Sequence, residues 1–147
     1  MSVEPGIIDA NVLVCAMDAD APQHAASRAL LEAARDLSTT LYVISQILCG
    51  FYSIVTNARR VPKPRSPEEA LRAIAGLLVF LHVLPIPAQT VEGWMDLLRR
   101  CPVTGGDVFD LQIVATMQAS GIQRIYTFNK GDFEVFPEIA VEVPLQT

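Results

Sequence analysis

The stretch from Gly105 to Phe133 constrains the fold more than any other part of this 147-residue chain. Two glycines open it, apolar residues at helical spacing follow, and Gly121 is expected to end the helix, as glycines just past helix ends often do. A strand-like run at 124–128 comes next, and then a polar turn at 129–132. Helix, glycine, strand and turn in this order are typical of one half of a βαβ unit, the usual setting of a parallel sheet.

The rest of the chain alternates between short apolar runs and amphipathic segments. Strands are predicted at 6–9, 41–44, 83–86, 124–128 and 140–143. Helices are predicted at 12–17, 22–37, 46–57, 67–81 and 88–100, with a last one that ends before the glycine at 121. Two helices between successive strands predict a single α/β domain spanning 1–147. Its class is a three-layer α/β/α sandwich with a short, mainly parallel central sheet.

Several local patterns make narrower predictions. Ser66 is followed by a proline and, three residues on, by a glutamate, which predicts a capping box. Ser45 is expected to cap the helix that begins at the next residue. Helical spacing places Leu37 on the buried face of its helix, and Val91, Trp94, Met95 and Leu98 on the buried face of the helix at 88–100.

The composition limits the classes of function that are open. The hydrophobic fraction of 51% and the mean hydropathy of +0.35 are high for a soluble monomer. They predict an apolar face that is covered by a partner or by a second copy of the chain. The most apolar stretch, 73–81, is too short to cross a bilayer, and the N-terminus lacks the pattern of a signal peptide. A cytoplasmic protein that does not bind membranes is therefore expected.

Soft metal ligands are scarce in this sequence. The three cysteines, Cys15, Cys49 and Cys101, are widely spaced in helical contexts. They are expected to be small buried apolar residues of a protein in a reducing compartment. With two histidines and no C-x-x-C motif, a zinc site is not expected.

Basic residues are concentrated in one linker of an otherwise acidic chain. The net charge of −5 argues against broad electrostatic capture of nucleic acid. The linker at 59–65 nevertheless has no acid and carries four cations: Arg59, Arg60, Lys63 and Arg65. A solvated loop is the favoured interpretation, and a rim that contacts phosphates is the alternative.

Acidic residues are predicted to meet at one edge of the sheet. Asp9 ends the first strand, Asp107 and Asp110 begin the last helix, and Asp132 lies just past a later strand. Sites in such sheets lie at the carboxyl ends of the strands. Several ionised carboxylates share a pocket only with a cation, and Mg²⁺ or Mn²⁺ is the natural choice for oxygen ligands. Such an ion activates water and neutralises a phosphodiester in the transition state, which is nuclease chemistry without a protein nucleophile.

Helix capping is the competing interpretation of these residues. Asp107 would cap the last helix, with Asp110 as a first-turn acid favoured by the helix dipole. Either Asp9 or Asn11 would cap the first helix. Other α/β chemistries are set aside because the chain has no G-x-x-x-x-G-K-[ST], G-x-G-x-x-G or G-x-S-x-G. Asn11 also occupies the position where a phosphatase with an aspartyl nucleophile has its second aspartate.

Four sequence segments identify a family when they are taken together. They read I-I-D-A-N-V-L-V at the start, S-Q-I-L-C-G-F-Y-S-I-V-T-N in the middle, and F-D-L-Q-I-V-A-T with Y-T-F-N-K-G-D-F near the end. In this order, over essentially the whole chain, they strongly resemble the PIN domain, and most closely the VapC-type toxins of prokaryotic toxin–antitoxin modules. The resemblance implies a Mg²⁺- or Mn²⁺-dependent endoribonuclease that cleaves RNA, forms a homodimer and is held inactive by a cognate antitoxin protein.

The resemblance also implies roles for individual residues. Asp9 would be the first metal ligand and Asp110 the principal later one. Asp132 would be the last catalytic acid, within the segment that matches T-x-N-x-x-D-F. Four further residues would have supporting roles: Asn11, Asp107, Thr127 and Asn129. Of these, Asp107 lies outside the family's core pattern.

One position departs from the family pattern. Gly50 stands where the family usually has a glutamate, in a segment that commonly reads Q-V-L-A-E-F-Y and here reads Q-I-L-C-G-F-Y. Two explanations compete. The chain is either a natural, non-catalytic PIN-like module that still binds RNA or antitoxin, or the product of a Glu→Gly change that disarmed a toxic ribonuclease. A glycine inside a helix costs about 1 kcal/mol relative to alanine, which favours the second explanation.

Overall fold

Five short parallel strands form the centre of the structure, a computed structural model that describes residues 3–145. The strands are β1 (Gly6–Ile8), β2 (Leu41–Val43), β3 (His82–Val83), β4 (Arg124–Tyr126) and β5 (Ala140–Glu142). Their order in the sheet is β3-β2-β1-β4-β5, and each neighbouring pair is parallel. β1 is the middle strand, and all of its residues are buried because helices cover both faces of the sheet.

Helices connect the strands within the described residues. They are α1 (Ala10–Ala16), α2 (His24–Arg35), α3 (Ser45–Val55), α4 (Pro67–Leu77), α5 (Thr90–Arg100) and α6 (Val108–Ser120), with 3₁₀ turns at Gly105–Asp107 and Lys130–Asp132. α1 packs against α2 and α3, and α3 packs against α4, whereas α5 packs against α6. The chain moves outward from β1 to β3 through the first four helices and returns to β4 through the last two. Right-handed crossovers therefore place the two groups on opposite faces of the sheet.

The predicted order of elements and the three-layer α/β/α class are confirmed. The capping box of α4 is also confirmed: the Glu69 backbone N–H donates to Ser66 Oγ at 3.1 Å, and the Ser66 N–H donates to Glu69 Oε1 at 3.0 Å. Ser45 does not cap α3, because it is the first residue of that helix and no side chain caps the preceding position. Leu37 is not buried either. It lies beyond the end of α2 with a φ of 61°, and it is 89% exposed.

The predicted buried face of α5 is confirmed only in part: Trp94 and Leu98 are half-buried and pack against the core. Val91 and Met95 are exposed, and Thr90 and Leu97 are the residues of this helix that are buried. Apolar residues lie on more than one side of the helix, and α6 covers only one of these sides. Helical spacing gives the angle between side chains, and it does not determine which side the neighbouring helix will cover.

α6 lies in the centre of the core and positions the later acids. Its residues Leu111, Ile113, Val114, Ala115, Thr116 and Met117 are buried, so that the helix is covered on nearly all sides. Gly121 ends it as predicted, with a left-handed φ of 73°. The Ile122 N–H then donates to the Met117 carbonyl at 2.9 Å, which satisfies one of the last carbonyls of the helix.

The cysteines and the membrane prediction can also be compared with the structure. All three cysteines are free; Cys15 and Cys101 are half-buried, and Cys49 is exposed, contrary to the expectation that it is buried. Cys49 belongs to the outer side of α3, opposite the helix face that packs on the core. No helix within residues 3–145 is long and apolar enough to cross a membrane.

Candidate active site at the carboxyl edge of the sheet

The two central strands end side by side. Ile8 and Tyr126, the last residues of β1 and β4, are partners in the register of the parallel pair. The residues that follow them, Asp9 and Thr127, therefore leave the sheet at the same edge, and the Asp9 N–H donates to the Tyr126 carbonyl at 3.0 Å. This pairing is the structural reason that a residue near the start of the chain meets one near its end.

A hydrogen-bond network surrounds the Asp9 carboxylate. The Thr127 hydroxyl donates to Asp9 Oδ2 at 2.8 Å and accepts from Asn11 Nδ2 at 3.1 Å and from the Asn129 N–H at 3.0 Å. Asn11 Nδ2 also lies 3.2 Å from Asp9 Oδ2, and Asn11 Oδ1 accepts from the Phe128 N–H at 3.0 Å. Thr127 is fully buried. The network fixes the orientation of the carboxylate from both strands.

The open question of which residue caps α1 has a definite answer. Asp9 is the cap, and its Oδ1 accepts from the Ala10 N–H at 2.8 Å. Asn11 lies within the helix and points across to β4. Oδ1 of Asp9 thus caps the helix, and Oδ2 accepts the hydrogen bonds of the network. Burial raises the pKa of Asp9; the hydrogen bonds from Thr127 and Ala10 act in the opposite direction.

The four aspartates named from the sequence interact electrostatically. Burial, followed by the charges of Asp132, Asp9 and Asp107, raises the pKa of Asp110 to about 7. Asp110 lies in the first turn of α6, as the capping interpretation expects, but a first-turn acid stabilised by the helix dipole would have a lowered pKa. Asp107 belongs to the 3₁₀ turn, and its side chain makes no capping hydrogen bond to α6. Asp107 is therefore not a side-chain cap of α6, whereas Asp110 occupies the first-turn position that the capping interpretation predicts.

The cluster is not a complete set of metal ligands as it stands. Among residues 3–145, no group of three His, Cys, Asp or Glu side chains lies close enough together to hold a metal ion. Asp9 and Asp110 are half-buried, whereas Asp107 and Asp132 are exposed. Ionised carboxylates repel one another, and Gly50 contributes no carboxylate to the group.

Gly50 faces the first turn of α1. A Cβ built on it would lie 3.6 Å from the Cβ of Ala10, which is an ordinary van der Waals contact, and the backbone of Gly50 does not have a positive φ. Position 50 thus faces the residue directly after Asp9, and an added Cβ there does not clash with its surroundings.

Sequence reasoning missed Gln46, which joins α3 to the start of α6. Its Nε2 donates to the Phe109 carbonyl at 3.2 Å, directly before Asp110, while its Oε1 is buried and has no hydrogen-bond partner. Gln46 precedes Gly50 by four residues, so the two lie on the same face of α3. The four-residue spacing between Gln46 and Gly50 was the signal in the sequence that could have identified Gln46. The contact with a segment 63 residues away was not visible in the sequence.

The basic linker lies away from this network. Arg59, Arg60 and Lys63 are exposed, and Arg65 is half-buried with its guanidinium donating to the Met17 carbonyl at 3.1 Å. Lys63 and Arg65 help to line a cavity of about 450 Å³ between the ends of α1 and α3 and this linker. Arg65 thus has a structural contact of its own.

Comparisons with known proteins give a match to a family model and to similar proteins of that family. The family model described as the PIN domain matches residues 7–140. VapC ribonuclease Mb2897 of Mycobacterium bovis is 33% identical over 112 residues, which cover 74% of this chain and 75% of that protein.

Solved structures have the same fold at low identity. The structure of VapBC2 from Rickettsia felis, bound to a DNA fragment from the promoter, has a TM-score of 0.68 at 18% identity and covers 96% of this chain and 98% of that one. Mycobacterium tuberculosis VapC20, a toxin described as cleaving the sarcin–ricin loop, has a TM-score of 0.66 at 17% identity, with coverages of 88% and 94%. At these identities the likeness concerns the fold alone.

Proposed function

The chain belongs to the PIN-domain family, among its VapC ribonucleases, and on that premise we propose that it is a Mg²⁺- or Mn²⁺-dependent endoribonuclease, the toxin of a type II toxin–antitoxin module. The observation that carries this proposal is the arrangement of aspartates at the carboxyl edge of the sheet: the hydrogen-bond network orients Asp9 at the end of β1, and Asp110 begins α6, where the charge of Asp9 acts on it. Their mutual repulsion is the condition that a divalent cation relieves, and a phosphodiester is the substrate such an ion serves.

The donor set fits a hard divalent cation. Asp9 and Asp110 offer carboxylate oxygens, which Mg²⁺ and Mn²⁺ prefer, and both have raised pKa values because they are partly buried. Gln46 adds a buried oxygen without a partner beside the start of α6. We therefore assign Asp9 and Asp110 as the metal ligands, and position 50 as the place from which a further carboxylate is missing.

The remaining roles in the proposed site are assigned to side chains and backbone groups of the chain itself. When bound, the ion would supply an activated water and would neutralise charge on the scissile phosphodiester. Thr127 and Asn11 hold Asp9 Oδ2 in a single orientation, and Asn129 holds the Thr127 hydroxyl through its N–H. Asp132, exposed in the 3₁₀ turn after β4, is assigned as the last catalytic acid.

Asp107 is assigned a supporting role. It is exposed in the turn before α6, and its charge is one of those that raise the pKa of Asp110. Asp107 therefore adds negative potential near Asp110, which favours the binding of cations there.

Gly50 limits how active the chain can be. The glycine removes the carboxylate that the family usually has here, so we expect weak metal binding and impaired cleavage. The alternative function, a non-catalytic PIN-like module that binds RNA or antitoxin, is favoured by this same position. A chain of that kind keeps the Asp9 network for stability, and it does not cleave RNA at any metal concentration.

The partners follow from the family and from the surface. A cognate antitoxin is proposed because VapBC structures are among the structural neighbours. A homodimer is proposed because large apolar side chains such as Leu71, Val79 and Val91 are exposed on α4, after it and on α5. An RNA-contacting rim at Arg59, Arg60 and Lys63, with Arg65 behind it, remains a proposal that rests on their charge and exposure.

Cleavage of RNA with and without metal tests the proposed function. The purified chain, incubated with total RNA, is expected to cleave slowly with Mn²⁺ and not at all with EDTA. Asp9→Asn and Asp110→Asn are expected to abolish the Mn²⁺-dependent cleavage, whereas Asp36→Asn, an exposed acid at the end of α2, is the control that leaves it unchanged. Equal cleavage by the parent and by Asp110→Asn would point to a contaminating nuclease and would refute the assignment.

A further inference from the structure

Phe109 is the one exposed residue among the Phe, Tyr and Trp of the described chain. Its side chain is 56% accessible, whereas every other Phe, Tyr and Trp within residues 3–145 is buried or half-buried. Single exposed apolar residues are common in proteins and need no special explanation. An exposed aromatic ring on the residue next to Asp110 is a more specific feature, because that aspartate belongs to the candidate site.

The backbone of Phe109 is held in place. Phe109 directly precedes Asp110 in the first turn of α6, so their Cα atoms are about 3.8 Å apart. Its carbonyl accepts the 3.2 Å hydrogen bond from Gln46, which lies on the same face of α3 as Gly50. The ring is therefore attached to a fixed backbone position next to Asp110, and it does not belong to a loose loop.

The exposed chain that leads to Phe109 is polar. Thr104, Gly105, Gly106 and Asp107 are all exposed, none of them offers a large apolar side chain, and Val108 is half-buried. Phe109 thus does not continue an exposed apolar stretch of the chain. An isolated ring beside a site for phosphodiesters matches the way in which proteins stack single-stranded bases on aromatic side chains.

We propose that Phe109 is a base-stacking residue, whose ring packs against an unpaired nucleobase next to the phosphodiester presented to Asp9 and Asp110. This inference rests on the proposed ribonuclease function and assigns a residue that contacts the substrate. Only a base that has left its stack offers a free face, so the contact requires an unpaired nucleotide beside the phosphodiester. Because every base has a π-face, this contact tolerates any base at that nucleotide.

Binding of a short RNA is the direct test, because it does not depend on cleavage. A fluorescently labelled, mixed-sequence single-stranded oligoribonucleotide is titrated with the full chain in EDTA and followed by anisotropy. Phe109→Leu, which keeps an apolar side chain and removes the ring, is expected to weaken binding roughly tenfold. Phe109→Trp is expected to restore binding, and Leu37→Ala, at an exposed apolar residue beyond α2, is the matched control that leaves it unchanged.

A second readout separates stacking from a merely structural role. A set of oligonucleotides, each with one abasic nucleotide at a successive position, is titrated with the parent and with Phe109→Leu. One abasic position is expected to weaken binding by the parent and to make no difference to Phe109→Leu, because the stacked base is already lost there. Duplex RNA of the same sequence is expected to bind the two proteins equally.

The outcomes that overturn the inference differ from those that overturn the proposed function. Equal binding of single-stranded RNA by the parent and Phe109→Leu, or no binding by the parent, refutes stacking. Unchanged RNA binding together with a loss of self-association in Phe109→Leu, measured by sedimentation, identifies the ring as a protein contact and also refutes it. A ring-dependent affinity in a chain that never cleaves RNA with Mn²⁺ supports stacking and refutes the ribonuclease.

Discussion

The hydroxyl of Thr127 lies 2.8 Å from Oδ2 of Asp9 and donates its proton to that carboxylate. The contact joins the ends of β1 and β4, and Thr127 is completely buried. A hydrogen bond to a charged group is typically worth about 1.5–3 kcal/mol, which is more than a neutral pair contributes. The orientation of the first metal ligand and the closure of the sheet edge thus depend on the same bond.

Thr127→Val should destabilise the protein and disturb the site together. Valine fills the same space and leaves Asp9 Oδ2, the Asn11 amide and the Asn129 N–H without their shared partner. We expect the free energy of unfolding in urea to fall by roughly 1–3 kcal/mol, and the pKa of Asp9 to rise further because the bond that lowers it is gone. Urea titration and Mn²⁺ calorimetry on the variant measure the two effects.

Thr116→Val is the matched control for this prediction. Thr116 is equally buried, but its hydroxyl donates to the Gln112 carbonyl within α6 and not to a charged group. Its loss is expected to cost less than the loss at Thr127 and to leave Mn²⁺ binding unchanged. Equal losses of stability in the two variants, with no change in Mn²⁺ affinity in either, would remove the special role of Thr127.

The stability of the metal-free protein should fall between pH 4 and pH 7. The pKa of Asp110 is raised from its ordinary value of 3.8 to about 7, so the folded protein holds this proton more tightly than the unfolded chain does. Its contribution is therefore fully present below pH 4, is lost as the pH rises, and is gone above about pH 7. The raised pKa of Asp9 acts in the same direction.

Urea unfolding in EDTA at several pH values measures this slope. Asp110→Asn cannot titrate at this position, so its stability should fall less than that of the parent between pH 5 and pH 7. Asp36→Asn, at the exposed end of α2, is expected to keep the slope of the parent. A parent and an Asp110→Asn variant with parallel pH profiles would contradict the raised pKa.

Two glycine-to-alanine changes should have opposite signs. Gly121 ends α6 with a φ of 73°, and alanine there is expected to lower the free energy of unfolding by about 1 kcal/mol. Gly76 lies in α4 with helical geometry and no atom within 4 Å of an added Cβ, so alanine should raise stability by roughly 0.5–1 kcal/mol. Thermal unfolding of the two variants beside the parent measures both. Equal shifts in the same direction would contradict the left-handed end of α6.

The sequence was sufficient for the order of elements and for placing Asp9 at the end of a strand and Asp110 at the start of a helix. Asp9 could be identified because an apolar strand ends there, and Gly121 because it follows a helical pattern. The role of Asn11 could not be determined, since its acceptor oxygen is satisfied by Phe128, 117 residues away, only after β4 has paired with β1. Long-range contacts of this kind have no local signature.

The errors on α3 and α5 have a similar cause. Ser45 has a good capping side chain, but the chain enters α3 one residue earlier than the pattern suggested, so Ser45 becomes part of the helix. In α5, the burial of Thr90 in place of Val91 depends on how α6 lies against it. Local preference identifies a helix, and tertiary packing then determines its exact start and its buried side.

The central claim is that the aspartate cluster is a metal-dependent nuclease site that lacks a carboxylate at position 50. An added Cβ there meets Ala10 at 3.6 Å without a clash, so Gly50→Glu is expected to fit. Glutamate also has the better helix propensity, which offsets part of the added repulsion in the metal-free protein. Gly50→Gln is the matched control, because it has nearly the same size and no charge.

The decisive measurement is the Mn²⁺-dependent rate of RNA cleavage by the parent, Gly50→Glu and Gly50→Gln, with Mn²⁺ affinity determined on the same preparations. Gly50→Glu is expected to bind Mn²⁺ more tightly than the other two and to cleave roughly 100-fold faster, since a lost ligand or a group that orients one commonly costs 10- to 100-fold. Asp110→Asn in the Gly50→Glu background should abolish the gain. A Gly50→Glu protein that is folded, saturated with Mn²⁺ and still inert toward RNA would contradict the claim and leave the non-catalytic binding module.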